Sequence, residues 1–137
     1  MGLILDSSVL ITEERKGKNA HQALEAIALR TAGESIAISV LTLAELAHGV
    51  ARADTPQRRA ARLQFLNEIM TALPFYPVTP GVALRAGQID GENTARGIRL
   101  ALSDLLIGAT ALEIGYSVVT ANIRHFQLIP DLKIVTL

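Results

Sequence analysis

The sequence predicts an α/β fold with a mainly parallel central sheet, and three observations carry that prediction. Short apolar runs suited to strands alternate with helical stretches over the whole chain. No internal repeat, low-complexity tract or linker breaks the alternation. The 137 residues are 50% hydrophobic, enough for one sizeable core, so residues 1–137 are expected to form a single domain.

Leu3 to Leu5 reads as a short buried strand with Asp6 at its C-terminal end, after which Ser7 and Ser8 can begin a turn or cap a helix. From Ala20 to Arg30, apolar Ala23, Leu24, Ile27 and Ala28 set against Gln22, Glu25 and Arg30 make an amphipathic helix. Ser35 to Ile38 reads as a second strand, followed by a helix from about Leu41 to Arg52. Asp54-Thr55-Pro56 puts a capping residue before proline at the first helical position and opens a helix toward Ala72. Phe75 to Val78 suits an edge strand, since Pro77 has no N–H for a central ladder. Thr79-Pro80 repeats the cap-then-proline signal; the helix it opens, through Val82, Leu84 and Ile89, is expected to be interrupted at Gly91 and to fray before Gly97. Ser103 is placed to cap a helix from Asp104 to Ile114 that is apolar on almost every side, hence buried, and that Gly115 ends. Val118 to Thr120 and Lys133 to Val135 read as the last two strands.

Three acids stand out against this frame: Asp6 after Leu3-Ile4-Leu5, Glu45 within Leu43-Ala44-Glu45-Leu46-Ala47, and Asp104 before Leu105-Leu106-Ile107-Gly108-Ala109. An ionised carboxylate among hydrocarbon is costly unless it is paired, hydrogen-bonded or metal-bound. If the fold gathers the three, a divalent cation removes both the burial cost and their mutual repulsion. Taken alone, Asp6 also reads as an Asx turn or cap, and Asp104 as a helix-start carboxylate whose ionised form the helix dipole favours. Thr42, Glu45, His48 and Arg52 share one stripe of their helix, which is either a water-exposed face or the wall of a cleft. Asp6 directly after the first strand, and Asn122 two residues beyond Thr120, both lie where open parallel sheets collect ligand-binding groups.

Composition narrows the function classes. Thirteen basic and thirteen acidic residues cancel, which excludes the broad electrostatic grip of a strongly basic nucleic-acid-binding domain. Arg52, Arg58, Arg59 and Arg62, and separately Arg96 and Arg99, form local groups that suit phosphate or carboxylate forks, or simply a solvated helix face. Without cysteine there is no disulfide or thiolate chemistry, so a metal must take oxygen or histidine ligands. No apolar stretch approaches the roughly 20 residues that span a bilayer, and no signal-like segment opens the chain, so a soluble, cytoplasmic protein is expected.

Four segments together carry a resemblance: Leu-Ile-Leu-Asp-Ser-Ser at 3–8, Leu-Thr-Leu-Ala-Glu-Leu-Ala-His-Gly at 41–49, Ser-Asp-Leu-Leu-Ile-Gly-Ala-Thr-Ala-Leu at 103–112, and Val-Val-Thr-Ala-Asn-Ile-Arg-His-Phe at 118–126. In this order and spacing the chain resembles the PIN domain and, more narrowly, the VapC-like toxins of toxin–antitoxin pairs. The resemblance implies a three-layer sandwich with a short-stranded sheet flanked by helices. It implies a Mg²⁺- or Mn²⁺-dependent endoribonuclease in which Asp6, Glu45 and Asp104 match the acidic ligands, leaving 5′-phosphate and 3′-hydroxyl ends. Thr120 matches a hydroxyl position of the family, and Thr120, Ser8 and Asn122 are expected to orient water or phosphate. Where many members carry a fourth aspartate this chain has Asn122, which removes one formal charge, and His48 and His125 have no role assigned by the pattern. Partners implied by the resemblance are RNA, a VapB-like antitoxin and a second copy of the chain, with no membrane. Helices at 20–30 and 56–72, with Leu63, Phe65, Leu66, Ile69 and Met70, are candidates for the antitoxin or dimer surface as well as for core.

Rival readings fare worse. A haloacid-dehalogenase-like phosphatase needs a second aspartate two residues after the first, where this chain has Ser8; a receiver domain needs clustered acids and a partnering lysine. The alternative that survives is a catalytically weakened PIN-like module that binds RNA or protein.

Overall fold

The computed structural model describes residues 1–137. In chain order the elements are β1 (Gly2–Leu5), α1 (Ser7–Arg15), α2 (Ala20–Arg30), β2 (Ser35–Ser39), α3 (Val40–Ala51), α4 (Pro56–Ala72), β3 (Phe75–Tyr76), α5 (Pro80–Ala95), α6 (Leu102–Ile114), β4 (Ser117–Val119), α7 (Ile123–Phe126) and β5 (Ile134–Val135). The strands form one sheet in the order β3-β2-β1-β4-β5, and every pairing is parallel. The α/β fold with a mainly parallel sheet expected from the alternating pattern, and the helix-flanked sandwich implied by the resemblance, are therefore observed.

Pleating of β1 divides the core in two. Leu3 and Leu5 pack with Leu10, Ile27, Phe65 and Ile69 from α1, α2 and α4. Ile4 faces the opposite layer, with Ile107, Ala109 and Phe126 from α6 and α7. Successive crossovers lay β2 and β3 on one side of β1, after which α5 and α6 carry the chain back to set β4 on the other side. The direction reverses between β1 and β4, the position at which open parallel sheets bind their ligands.

Local chemistry explains most element ends. Asn19 and Gln22 form a reciprocal capping box on α2, while Thr55 and Thr79 accept from the N–H groups of Arg58 and Val82 ahead of proline-started α4 and α5. Gly115 closes α6 in the left-handed conformation, at φ 74°. Three expectations are corrected. Gly91 does not interrupt α5, because Val82, Ala86, Ile89 and Asn93 bury one continuous face, which outweighs a glycine cost of about 1 kcal/mol. Ser103 does not cap α6; the helix starts at Leu102 with Ala101 in the cap position and no side-chain cap. After Asp6 a nine-residue helix forms, but Ser7 and Ser8 are its first residues rather than its cap, and α7 is a further helix of one turn.

Candidate active site

Asp6 leaves β1 at the reversal point and occupies the N-cap position of α1, yet its side chain makes no capping hydrogen bond. The carboxylate is held from elsewhere. Ser8 Oγ donates to Asp6 Oδ2 at 2.7 Å, and Thr120 Oγ1 donates to the same oxygen at 2.9 Å, which locks the end of β4 to the end of β1. Ser8 Oγ accepts from the Ala121 N–H at 3.1 Å, and Thr120 Oγ1 accepts from the Asn122 N–H at 2.9 Å. None of these bonds uses Oδ1. Both hydroxyls are thus committed to bracing Asp6, which is 2% exposed. Asn122 is exposed at the start of α7 and joins this network through its backbone, its side chain making no cap bond.

Glu45 arrives from α3. One turn earlier Thr42 is fully buried and donates to the Leu5 carbonyl at 3.3 Å, so the polar stripe of this helix faces the end of β1. At Thr42 and Glu45 the stripe is a cleft wall, and at His48 and Arg52 it is a solvent face. Burial first, then the charge of Asp6, raises the Glu45 pKa above the ordinary carboxylate value; Asp104 adds to the rise and the Ser7 hydroxyl opposes it. Glu45 Oε1 is buried with no hydrogen-bond partner. His48, one turn further along α3, is exposed.

Asp104 stands in the first turn of α6 with a side chain 13% exposed. Its ionised form is not favoured overall, contrary to expectation from the helix dipole. Burial and the charge of Asp6 push its pKa up, with His125 opposing. His125, supplied by α7, sets Nδ1 3.2 Å from Asp104 Oδ2, a contact between residues too far apart in sequence for periodicity to show.

The fold therefore brings Asp6, Glu45 and Asp104 within range of each other's charge. No group of three histidine, aspartate or glutamate side chains stands close enough to hold an ion outright. The donor set nonetheless fits a hard divalent cation that keeps part of its water shell: all three are carboxylates, two ionise against resistance, and one buried oxygen lacks a partner.

Basic side chains border Glu45 on one side. Arg15 and Arg62 line a cavity of about 100 Å³ with Glu45 and Glu14. The same two arginines continue into a groove of about 430 Å³ with Lys18 and Arg58. That groove meets a more apolar one of about 630 Å³, lined by Leu24 of α2 and Leu63 of α4. Arg62 Nη1 is anchored on the Gly49 carbonyl at 2.7 Å, and Arg58 pairs with Asp54 at 2.8 Å. Of the first arginine group read from the sequence, Arg58 and Arg62 line the groove; in the second, Arg96 is turned to Asn93 at 2.9 Å. Glu14 and Arg15 join the site only through the fold, having no marker in the sequence beyond their charge.

The PIN domain family model matches residues 3–131. A protein named Ribonuclease VapC from Rickettsia bellii is 29% identical over 136 residues, covering 99% of this chain and 96% of the relative. A tRNA(fMet)-specific endonuclease VapC from Salmonella typhimurium is 31% identical over 97 residues, 71% of each chain. Among solved structures, DNA-bound VapBC from Salmonella typhimurium superposes with a TM-score of 0.81 at 26% identity, covering 99% of this chain and 98% of that one.

Proposed function

This chain belongs to the PIN domain family, and on that premise we propose that it is the endoribonuclease toxin of a toxin–antitoxin pair, cleaving RNA phosphodiester bonds with a Mg²⁺ or Mn²⁺ ion held by Asp6, Glu45 and Asp104. The observation that supports the site assignment most is the orphaned Glu45 Oε1, buried beside two further carboxylates whose charges act on one another. When bound, such an ion supplies an activated water, a grip on the scissile phosphate and relief of charge on the leaving oxygen. The protein's own groups do the positioning. Ser8 and Thr120 hold Asp6 Oδ2 in place, and the exposed Asn122 is set at the rim to meet phosphate or water. Arg15 and Arg62, lining the cavity shared with Glu45, receive the flanking phosphates of the strand.

A cognate VapB-like antitoxin is the protein partner. Its segment is assigned to the groove between α2 and α4, because that groove runs on through the cation-lined one to the cavity of Glu45, so one bound segment fills the apolar part and obstructs the acids. The chain also pairs with a second copy of itself. No helix is long and apolar enough to cross a membrane.

The test is cleavage of defined RNAs, a tRNA panel included, by purified protein with Mg²⁺, with Mn²⁺ and with chelator. Cleavage that needs a divalent ion and disappears in Asp104→Asn is the expected result; equal activity in that variant refutes the site.

A further inference from the structure

Nδ1 of His125 and Oδ2 of Asp104 lie 3.2 Å apart. Two adjacent ligands of an octahedral ion, each bonded at about 2.1–2.2 Å, lie roughly 3.0 Å apart, so this pair is already spaced almost as one edge of an octahedron requires. The spacing is built into the fold. His125 sits on α7, whose Phe126 is fully buried. Just beyond, Ile129 packs where a Cβ on Gly108 would be, and Asn93 Nδ2 donates to the Leu128 carbonyl at 3.2 Å. Gly108 is one turn beyond Asp104 on α6, so the helix that carries the acid also seats the turn that carries the imidazole. The ring itself is 59% exposed and contributes nothing to the core that this anchoring would serve.

We propose that His125 is a ligand of the catalytic ion beside Asp104, and that its nitrogen makes the site select Mn²⁺ over Mg²⁺. The inference rests on the metal-dependent reading above. An imidazole adds a softer, uncharged donor to a set of hard carboxylates, and first-row transition ions bind nitrogen better than Mg²⁺, which holds to oxygen and water.

Mn²⁺ binding to wild type and His125→Ala, followed by electron paramagnetic resonance with detection of nitrogen hyperfine coupling, tests this, alongside Mg²⁺ titrations read as a thermal shift. Because the ring is mostly exposed, the variant keeps the fold. Expected is a nitrogen coupling in wild type that His125→Ala abolishes, with Mn²⁺ affinity falling on the order of tenfold and Mg²⁺ affinity nearly unchanged. Mn²⁺ bound without nitrogen coupling, or with coupling and affinity that survive His125→Ala, overturns the inference alone. Failure of wild type to bind either ion overturns it together with the metal-dependent reading.

Discussion

Glu45 and Asp104 ionise only against the resistance of their surroundings, and that resistance is a cost to the folded state. Each has a pKa raised first by burial and then by the charge of Asp6. For an acid with a raised folded pKa, the stabilising contribution is full below the ordinary carboxylate value near 4 and is lost as pH rises through the folded value. Metal-free protein should therefore lose stability from these two groups as pH rises above the ordinary carboxylate value, and chelator-treated thermal melts over a pH series measure the slope. By the same reasoning Glu45→Gln and Asp104→Asn should abolish cleavage while raising the melting temperature of the metal-free protein at pH 7.5. Thr120→Val acts in the opposite sense. It takes one of two hydroxyls from Asp6 and leaves the Asn122 N–H without its acceptor, an expected loss of about 1–3 kcal/mol by urea denaturation with a fall in activity. Asp6, Glu45 and Asp104 were legible in the sequence because carboxylates flanked by leucine and isoleucine are conspicuous. The brace that Thr120 gives Asp6 was not, since it spans 114 residues, and Ser8, although only two residues from Asp6, is tied to β4 through the Ala121 N–H 113 residues away.

Helix α1 shows why an element can escape sequence patterning. Glu13 occupies a buried position of this helix, where an apolar residue would have marked the periodicity. It is 2% exposed and meets Lys18 at 2.5 Å, Lys16 at 3.4 Å and Arg30 of α2 at 3.5 Å. The cation ends are partly in solvent, which moderates the interaction, and Glu13→Gln should cost roughly 1–2 kcal/mol. Its pH dependence has the other sign. Lys18 chiefly holds the Glu13 pKa below the ordinary value, so this stabilisation is present above that value and is lost as pH falls through the folded one. In α6 the packing constraint falls on Gly108, where an added Cβ would run into Ile129 Cδ1. Gly108→Ala is expected to destabilise by about 1–3 kcal/mol in denaturant titrations and to disturb the turn that bears His125. Gly91 hides the full extent of α5 in the sequence because the strength of its packed face is a tertiary property, whereas the starts of α4 and α5 are legible in their Thr-Pro signals.

For the whole molecule, the alternation of apolar runs and helices revealed the layers and the parallel sheet, but not the order of the strands. That order places β1 at the centre with its reversal toward β4, and it creates the site. An ion that binds only the folded site should raise the melting temperature, by the equivalent of about 2.7 kcal/mol at a hundredfold excess over its dissociation constant. A thermal scan with Mg²⁺ or Mn²⁺ against chelator reads this directly, and no shift would count against the site. Light scattering should return about twice the 14.6 kDa mass of one chain if it pairs as proposed. The union of Asp6 with Thr120 makes the site a product of the assembled sheet. Asp6 and its brace Thr120 stand 114 residues apart in the chain, so the first of the acids is fully held only once β4 has joined β1 in the sheet. A polypeptide that lacks β4 and the residue after it leaves that carboxylate with one hydroxyl in place of two, so a partly assembled sheet holds no finished site.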